Sequence, residues 1–359
     1  MQSGMLHGLK IARGAPPISH LLFADDCFLF LRATSAESVQ MKYVLDTYSA
    51  ASGQKLNFDN SMVCFGTNVH QQQRNEVINI LGVSQGDTAQ KYLGLPSLVG
   101  RNKKPILGFL KDKILNRVRS WNSKFLSRAG REVLIKNVLQ AMPCYAMMVF
   151  LLPIGMFDRR WQRFTMAFMV RIEFAKGEGW IRVSRLREMN LALLGKQAWR
   201  LVTRPDSLVA QVYKSRYFPR GSFFDATAGS NPSFIWRSIL EVQNVVQMGC
   251  RRCIGDGLTT YIGSYPWLPT TAEPYVSTIL HDSVRGATIS SLLNTHGTGW
   301  DVDCLKDIFN DRDANIIFKI SVSLCKPPNA WVWYWEPKGN YSVKSCYRLL
   351  MGEFQNTLN

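Results

Sequence analysis

The chain has 359 residues, of which 46% are hydrophobic and 19% are charged, so its composition excludes a disordered or fibrous protein. Its 43 Lys and Arg residues against 26 Asp and Glu give a net charge of +17, which favours a polyanionic partner such as nucleic acid. Among the eight cysteines only Cys250 and Cys253 have CxxC spacing, and two ligands do not complete a zinc site. We therefore expect reduced thiols, an intracellular location and no bound zinc.

The first predicted elements surround the sequence HLLFADDCFLF, which begins at His20. Apolar runs on both sides of Ala24, Asp25 and Asp26 predict a strand, a tight turn and a second strand over residues 18–31. The two adjacent carboxylates repel each other, and burying either one without a partner is costly. The pair is therefore expected either in a solvated turn or against a bound cation.

A helix is predicted next. Thr34 and Glu37 have the spacing of a capping box, and Gly53 is suited to end the helix. Between them, hydrophobic residues recur at helical intervals: Val39, Tyr43, Val44 and Tyr48. The sequence QKLNFDNSMVCFG then predicts two short strands broken at Asp59–Asn60. This order of elements indicates an α+β sheet domain rather than a dinucleotide-binding fold.

The segment 101–136 is strongly basic, with eleven Lys and Arg residues against Asp112 and Glu132. Apolar residues at helical spacing predict two amphipathic helices, which would suit a phosphate backbone. Two ordinary solvated helix faces are the alternative. The residues that we select as candidate nucleic-acid contacts are Arg101, Lys103, Lys104, Lys111, Lys113, Arg117, Lys124 and Arg128.

Further along, Ser184 to Thr203 predicts a third helix with basic residues on its outer face, namely Arg185, Arg187, Lys196 and Arg200. Beyond Pro205 the chain is rich in Gly, Ser, Pro and aromatic residues, with few long periodic elements. Trp331, Trp333 and Trp335 alternate along a predicted strand, where core packing is favoured over base stacking. The apolar segment Ala141–Phe157 is shorter than the ~20 residues of a membrane span and contains prolines, so no membrane partner is expected.

The Asp25–Asp26 turn has a specific chemical interpretation. Template-directed polymerases use such a turn between apolar strands to hold two Mg²⁺ ions roughly 4 Å apart. One ion activates the attacking 3′-hydroxyl and the other stabilises the leaving pyrophosphate. The cations would also offset the repulsion between the two carboxylates. A solvated turn without metal is the common alternative for an isolated Asp-Asp pair.

Several longer strings carry a resemblance to a known family. They are HGLKIARGAPPISHLLFADDCFLF, YSAASGQKLNF, KYLGLPSLVGRNKK and WNSKFLSRAGREVLIKNVLQAMPCYAM, followed by LALLGKQAWRLVTRPDSLVAQVYKSRYFPRGSF, GSNPSFIWRSIL and KGNYSVKSCYRLL. In order and spacing they resemble the reverse transcriptases of plant non-LTR (LINE-type) retrotransposons. The resemblance covers nearly the whole chain.

This resemblance implies an α+β fold and a domain order. It implies a partial polymerase palm over residues 1–98, built of a β-hairpin, a helix and short strands, and a basic, mainly helical thumb-like region over 99–172. A helical linker region over 173–275 and the start of a zinc-binding region over 276–359, without the zinc ligands, would form a mixed, loop-rich C-terminal part. Asp25 and Asp26 would be catalytic Mg²⁺ ligands. The partners would be an RNA template and a DNA primer, and the protein would be located in the nucleus.

The resemblance also implies missing parts and departures. The family's fingers and its first catalytic aspartate precede the segment seen here, so Asp25 and Asp26 are expected to form an incomplete metal site. A truncated RNA-directed DNA polymerase with little or no activity is the first hypothesis. Asn60 stands where the family usually has Lys, Gly263 stands where Trp is usual, and the segment 168–190 resembles a shortened form of the family's sequence.

Two alternatives remain open. In the first, the chain is a non-catalytic nucleic-acid-binding protein that works through the 101–136 helices, and its binding weakens steeply as salt increases. In the second, it is a pseudogene product whose palm remnant exposes sheet edges.

Overall fold

The computed structural model describes residues 5–86, 91–92, 95–96, separate positions between 108 and 127, and residues 141–153, 186–271 and 273–354. In this part of the chain, helices alternate with two-stranded sheets, and the fold class is α+β, as predicted. The chain divides into two compact units. Unit 1 contains residues 1–139 and 208–220, and unit 2 contains 140–207 and 221–359. The predicted division into four domains stays a prediction.

Unit 1 begins with an antiparallel hairpin of β1 (His20–Phe23) and β2 (Asp26–Leu29). Helix α1 (Ser35–Ser52) follows, and its N-cap Thr34 accepts a hydrogen bond from the Glu37 backbone N–H at 3.4 Å. Gly53 ends the helix with a φ of +71°, in the left-handed region that glycine adopts without strain. Both predicted ends of this helix are confirmed.

The small core of unit 1 lies between α1 and helix α2 (Gln71–Leu81). Met41 of α1 is buried there with Val77 and Leu81 of α2. The hydrophobic residues that we used to predict α1 do not belong to this core: Val39 is 57% exposed and Tyr43 is 65% exposed. Helix α1 therefore has apolar side chains on more than one face, and only the Met41 face packs within the described residues.

The short strands of unit 1 differ from the prediction. Only β3 (Met62–Val63) forms within residues 54–66, and it pairs in parallel with β4 (Ser84–Gln85). The preceding residues Phe58–Asn60 form a 3-10 turn, because Asn57 Oδ1 accepts a hydrogen bond from the Asn60 N–H at 3.2 Å. The prediction of two strands here is wrong for this reason. Strands β5 (Lys91–Tyr92) and β6 (Leu95–Pro96) form a second small antiparallel pair.

Unit 1 also contains α5 (Leu208–Tyr217). The helices of unit 2 that precede and follow α5 in the sequence include α3 (Ala141–Met147), α4 (Leu186–Thr203), α6 (Phe234–Leu240) and α7 (Gln243–Gly249). The buried Asn190 of α4 donates to the carbonyls of Met147 and Phe150 at 2.7 and 3.0 Å. Its Oδ1 accepts from the Leu152 N–H at 2.8 Å. This one amide therefore pairs with three backbone groups, one at the C-terminal end of α3 and two in the residues that follow it.

Strand β7 (Cys250–Cys253) pairs antiparallel with β8 (Ala330–Trp333), and α11 (Val343–Leu350) packs against α4. Trp333 is fully buried, and its Nε1 donates to Ser345 Oγ at 2.9 Å. Tyr341 donates to the carbonyl of Ala192 at 2.7 Å, which joins α4 to the chain before α11. Trp333 is thus a core residue, as the sequence favoured, while Trp331 is half-buried and Trp335 lies beyond the end of β8.

A second core in unit 2 spans the loop-rich residues between 262 and 317. It includes α8 (Asp282–Arg285), α9 (Val302–Ile308) and α10 (Asp311–Phe318). Ile262, Leu268 and Ile289, from loops and short turns, are buried together with Leu305 and Ile317 from α9 and α10. Within the described residues, no helix is long and apolar enough to cross a bilayer.

Candidate metal and nucleic-acid site

The Asp25–Asp26 pair lies at the closed end of the β1–β2 hairpin. Leu22 pairs with Cys27 and Phe23 pairs with Asp26, so only Ala24 and Asp25 form the turn. Ala24 has a φ of +51°, a left-handed conformation that two-residue hairpin turns require. The predicted strand, tight turn and strand are confirmed by this register.

Both carboxylates are in solvent. Asp25 and Asp26 are exposed, and water strongly reduces the repulsion between exposed like charges. The hairpin therefore tolerates the adjacent aspartates without a bound cation. A solvated turn and a bound cation, the two interpretations that the sequence left open, both require accessible carboxylate oxygens, and the exposure of Asp25 and Asp26 suits either one.

The flanking strands are not buried, contrary to their apolar sequence. Leu22 is 67% exposed and Phe23 is 59% exposed, and every residue from Leu21 to Phe28 is exposed. The reason is topological, because the hairpin is a two-stranded sheet with no further strand paired to it among the described residues. Among the described residues no further strand pairs with either outer edge, and Leu29, at the end of β2 away from the turn, is the strand residue that packs against the core of Met41, Val77 and Leu81.

The donor set at the turn fits a hard divalent cation. Carboxylate oxygens are the ligands that Mg²⁺ prefers, and Mg²⁺ keeps several waters when a protein supplies only one or two carboxylates. The residues that the structure describes contain no cluster of three or more His, Cys, Asp or Glu side chains placed to hold a metal. Asp25 and Asp26 would thus supply two carboxylates to such an ion, without a third ligand of these types from the described residues.

The loop after α1 forms an open cavity of about 530 Å³, lined by Lys55, Leu56, Asn57, Phe58 and Asp59. The Lys42 ammonium lies 5.2 Å from the centre of the Phe58 ring, close enough for a cation–π contact. The backbone N–H of Asn60, where the family usually has Lys, is held by Asn57. An amide side chain does not supply a proton at neutral pH, so Asn60 offers no general acid here.

The predicted basic helices are described only in part. Residue 108 and several positions up to 120 are helical, with Leu110 and Ile114 buried and Lys113 and Arg117 exposed. This is the amphipathic arrangement that the spacing predicted. The remaining candidate contacts lie outside the described residues: Arg101, Lys103, Lys104, Lys111, Lys124 and Arg128.

On helix α4 the predicted outer residues separate into two groups. Lys196 and Arg200 are exposed, one helical turn apart. Arg187 instead pairs with Glu241 through an Nη2–Oε1 contact of 2.9 Å. Arg185 lies outside the described residues.

The two cysteines of the CxxC pair lie in different environments. Cys250 is fully buried and Cys253 is exposed, although both lie on β7. Burial raises the pKa of the Cys250 thiol far above its ordinary value, which disfavours the thiolate that zinc requires.

One surface feature of unit 2 was not identified from the sequence. Arg252 lies over the rings of Tyr265 and Trp331, with 5.8 and 5.2 Å between the guanidinium carbon and the ring centres. Tyr265 in turn stacks on Tyr261, with ring centres 6.1 Å apart and an angle of 13° between the rings. We call Tyr261, Tyr265, Arg252 and Trp331 the aromatic–arginine row. The i,i+4 spacing of the two tyrosines was a signal, but the pairing of Arg252 with Trp331 across β7 and β8 required the structure.

Comparison with known proteins gives two informative relatives in Arabidopsis thaliana, while no protein-family model matches the chain. A candidate ribonuclease H protein is 26% identical over 289 residues, which cover 71% of this chain and 44% of the relative. An uncharacterized mitochondrial protein is 38% identical over 79 residues, which cover 22% of this chain and 51% of the relative.

The chain therefore spans about half the length of the curated relatives it matches, in the aligned parts. Both relatives are plant proteins, and neither name mentions a reverse transcriptase. A relative named for ribonuclease H is consistent with a transposable-element origin, because many members of the family that the sequence resembles carry a ribonuclease H domain. The comparisons thus fit a retroelement-related plant protein.

Proposed function

We propose that the chain is part of a LINE-type RNA-directed DNA polymerase in which Asp25 and Asp26 are Mg²⁺ ligands. The observation that carries this proposal is the β1–β2 hairpin, which exposes two adjacent carboxylates, Asp25 in the turn and Asp26 at the start of β2. The resemblance of strings along nearly the whole chain and the net charge of +17 support it. An RNA template, a DNA primer and a nuclear location belong to the same proposal.

The residues of this chain would contribute only part of the chemistry. In nucleotidyl transfer, paired Mg²⁺ ions activate the primer hydroxyl and stabilise the leaving pyrophosphate. Asp25 and Asp26 would hold and orient metal at the hairpin tip, while a third carboxylate must come from outside the described residues. The family supplies it from a strand that precedes this hairpin. We therefore expect little or no DNA synthesis by this chain alone.

Metal binding at the turn is tested by replacing Mg²⁺ with Fe²⁺ and adding ascorbate and peroxide, so that radicals cut the backbone beside the bound ion. We expect cleavage near residues 24–27 that excess Mg²⁺ suppresses and that the double substitution Asp25→Asn, Asp26→Asn removes. Asp46→Asn, which neutralises an exposed carboxylate on α1, is the matched control and should leave the cleavage unchanged. Equal cleavage in the double variant would contradict the proposed ligands.

Polymerase activity is tested by primer extension on an RNA template with Mg²⁺. We expect no extension above the level of the Asp25→Ala variant from the purified chain. Strong synthesis that Asp25→Ala abolishes would show that the proposed inactivity is wrong while supporting the metal ligands.

A second candidate function is non-catalytic nucleic-acid binding by the basic segment 101–136. The observation that favours it is the exposure of Lys113 and Arg117 above the buried Leu110 and Ile114. This function predicts binding that survives Asp25→Ala and weakens with salt. A pseudogene product, the remaining alternative, would lack a cooperative thermal transition in circular dichroism.

A further inference from the structure

The surface of unit 2 carries the aromatic–arginine row, whose residues belong neither to the candidate metal site nor to the basic segment. The aromatic–arginine row joins the turn 261–265 to strands β7 and β8, and Phe224 extends it with ring centres 5.6 Å from Trp331. Arg285 adds a second cation at the turn, since its side chain covers Gly263 closely. A Cβ at residue 263 would lie 2.5 Å from Arg285 Cγ.

We propose that the aromatic–arginine row is a binding site for single-stranded nucleic acid, located in unit 2 and separate from the Asp25–Asp26 turn. Tyr261 is 45% exposed, so part of its ring is open to an incoming base. Tyr265 stacks on Tyr261 and holds its orientation. An aromatic ring accepts any base, because every base has a π-face, and such sites are independent of sequence.

Arg252 supplies the charge at this site. Its Nε and Nη2 donate to the hydroxyls of Thr260 and Thr259 at 3.1 and 2.9 Å, which fixes the guanidinium in one orientation. Its Nη1 makes no hydrogen bond with the residues that the structure describes, so this group is available to donate to a phosphate. The Asp256 carboxylate interacts electrostatically with Arg252, and its Oδ1 accepts a hydrogen bond from the Leu258 N–H at 3.0 Å. Arg285 gives this surface a second, exposed cation.

The partner is single-stranded rather than duplex. Stacking on Tyr261 requires a base whose π-face is free, whereas a duplex presents its phosphates and its groove edges. The two cations of this surface, Arg252 and Arg285, favour a polyanion over a neutral ligand such as a sugar. The inference goes beyond the proposed function, since it needs no metal and no residue of unit 1.

The test measures the binding of a labelled oligo(dT) or oligo(U) of about 12 nucleotides, within the usual site size of such surfaces. We expect Tyr261→Ala to weaken binding about tenfold, as the loss of one stacked base predicts. Arg252→Gln should reduce affinity and lower the dependence of log K on log salt by about 0.7. Ultraviolet cross-linking should place the oligonucleotide on the peptide that contains Tyr261.

Two controls make the result specific. Tyr275→Ala removes another exposed tyrosine of unit 2, and should leave affinity and cross-linking unchanged. The variant Asp25→Asn, Asp26→Asn should keep Tyr261-dependent binding, so that failure of the metal site is distinguishable from failure of this inference. The proposal is overturned if Tyr261→Ala and Arg252→Gln bind the oligonucleotide like the unchanged chain, or if cross-links map only to other peptides.

Discussion

Asp313 is a fully buried carboxylate whose oxygens connect helix α10 to the loop at residues 277–278. Its Oδ2 accepts from the backbone N–H groups of Ser277 and Thr278 at 2.9 and 2.8 Å, and its Oδ1 accepts from Arg312 Nη1 at 3.0 Å. Removing it would leave the partly buried N–H groups of Ser277 and Thr278 without this acceptor, and would break the contact to Arg312.

We predict that Asp313→Ala lowers the free energy of unfolding by about 3 kcal/mol. The reason is that the groups that donate to the buried carboxylate lose their acceptor. Urea denaturation followed by circular dichroism measures this loss. Asp311→Ala, an exposed substitution in the same helical turn, is the control and should cost less than about 1 kcal/mol. Equal effects of the two substitutions would show that helix N-terminal charge, not the buried network, stabilises this region.

Glu37 gives unit 1 a pH-dependent contact. Burial raises the pKa of its carboxyl. Hydrogen bonds from the backbone N–H groups of Arg32 and His7 and from the His7 ring together lower the pKa by more than burial raises it, so the pKa lies below its ordinary value. The Oε2 distances to the two backbone nitrogens are 3.0 and 3.2 Å. Because the folded pKa is depressed, the stabilisation is complete above the unfolded pKa of about 4.3 and is lost as pH falls through the folded value.

We therefore predict that the unfolding free energy of unit 1 falls as pH decreases below about 5. Glu37→Gln should remove part of this dependence and lower stability at neutral pH, since an amide replaces the charged acceptor. Denaturant titrations between neutral and acidic pH measure both effects. Glu76→Gln, an exposed change on α2, should keep the full acid dependence. A Glu37→Gln variant with the same pH profile as the unchanged chain would contradict the prediction.

At this scale, local sequence signals were reliable and distant ones were not. The Thr34 cap and the Gly53 end were predicted because their partners lie within four residues. The role of Asp313 was not, because its acceptor geometry depends on residues 35 and 36 positions away. The same applies to Arg252, whose aromatic partner Trp331 lies on another strand.

Among the elements, the β1–β2 hairpin has a strained turn. Ala24 adopts a positive φ, which costs a residue with a Cβ roughly 1–2 kcal/mol relative to the usual region. We predict that Ala24→Gly stabilises the hairpin by about 1 kcal/mol, after allowing for the greater freedom of glycine in the unfolded chain.

Amide hydrogen exchange of the peptide covering residues 18–31 measures this change, and protection should increase about fivefold. Ala33→Gly, just before the α1 cap, is a matched control in which the same substitution meets no positive φ and should give no gain. A decrease in hairpin protection in Ala24→Gly would show that the turn is not limited by strain at this residue.

Helix α1 shows why element existence is easier to predict than element orientation. Its length and ends follow from caps and periodicity, but it has apolar residues on several faces, so periodicity does not choose the buried one. The structure buries Met41 against Val77 and leaves Tyr43 in solvent. The hairpin has the same ambiguity, since the apolar residues of β1 and β2 would be buried only if another element covered them.

At the scale of the whole molecule, charge and resemblance were more informative than periodicity. The α+β class followed from the order of elements in the N-terminal part. The loop-rich core around Ile262, Leu268 and Ile289 was not predicted residue by residue, because its members lie on short turns without regular spacing. The candidate metal site was predictable as a turn, whereas the exposure of its strands depends on which elements pack beside them.

The final prediction concerns the excess positive charge. If nucleic acid contacts the exposed side chains of the basic segment 101–136, the double variant Lys113→Gln, Arg117→Gln should lose two phosphate contacts. The slope of log K against log salt for single strands should then decrease in magnitude by about 1.4. The double variant Lys319→Gln, Lys338→Gln removes the same charge from exposed positions in unit 2 and should change the slope much less. Fluorescence anisotropy over a range of salt concentrations measures both slopes. Equal slopes for the two variants would mean that binding depends on overall charge, and would remove the support that the exposed Lys113 and Arg117 give to a defined surface.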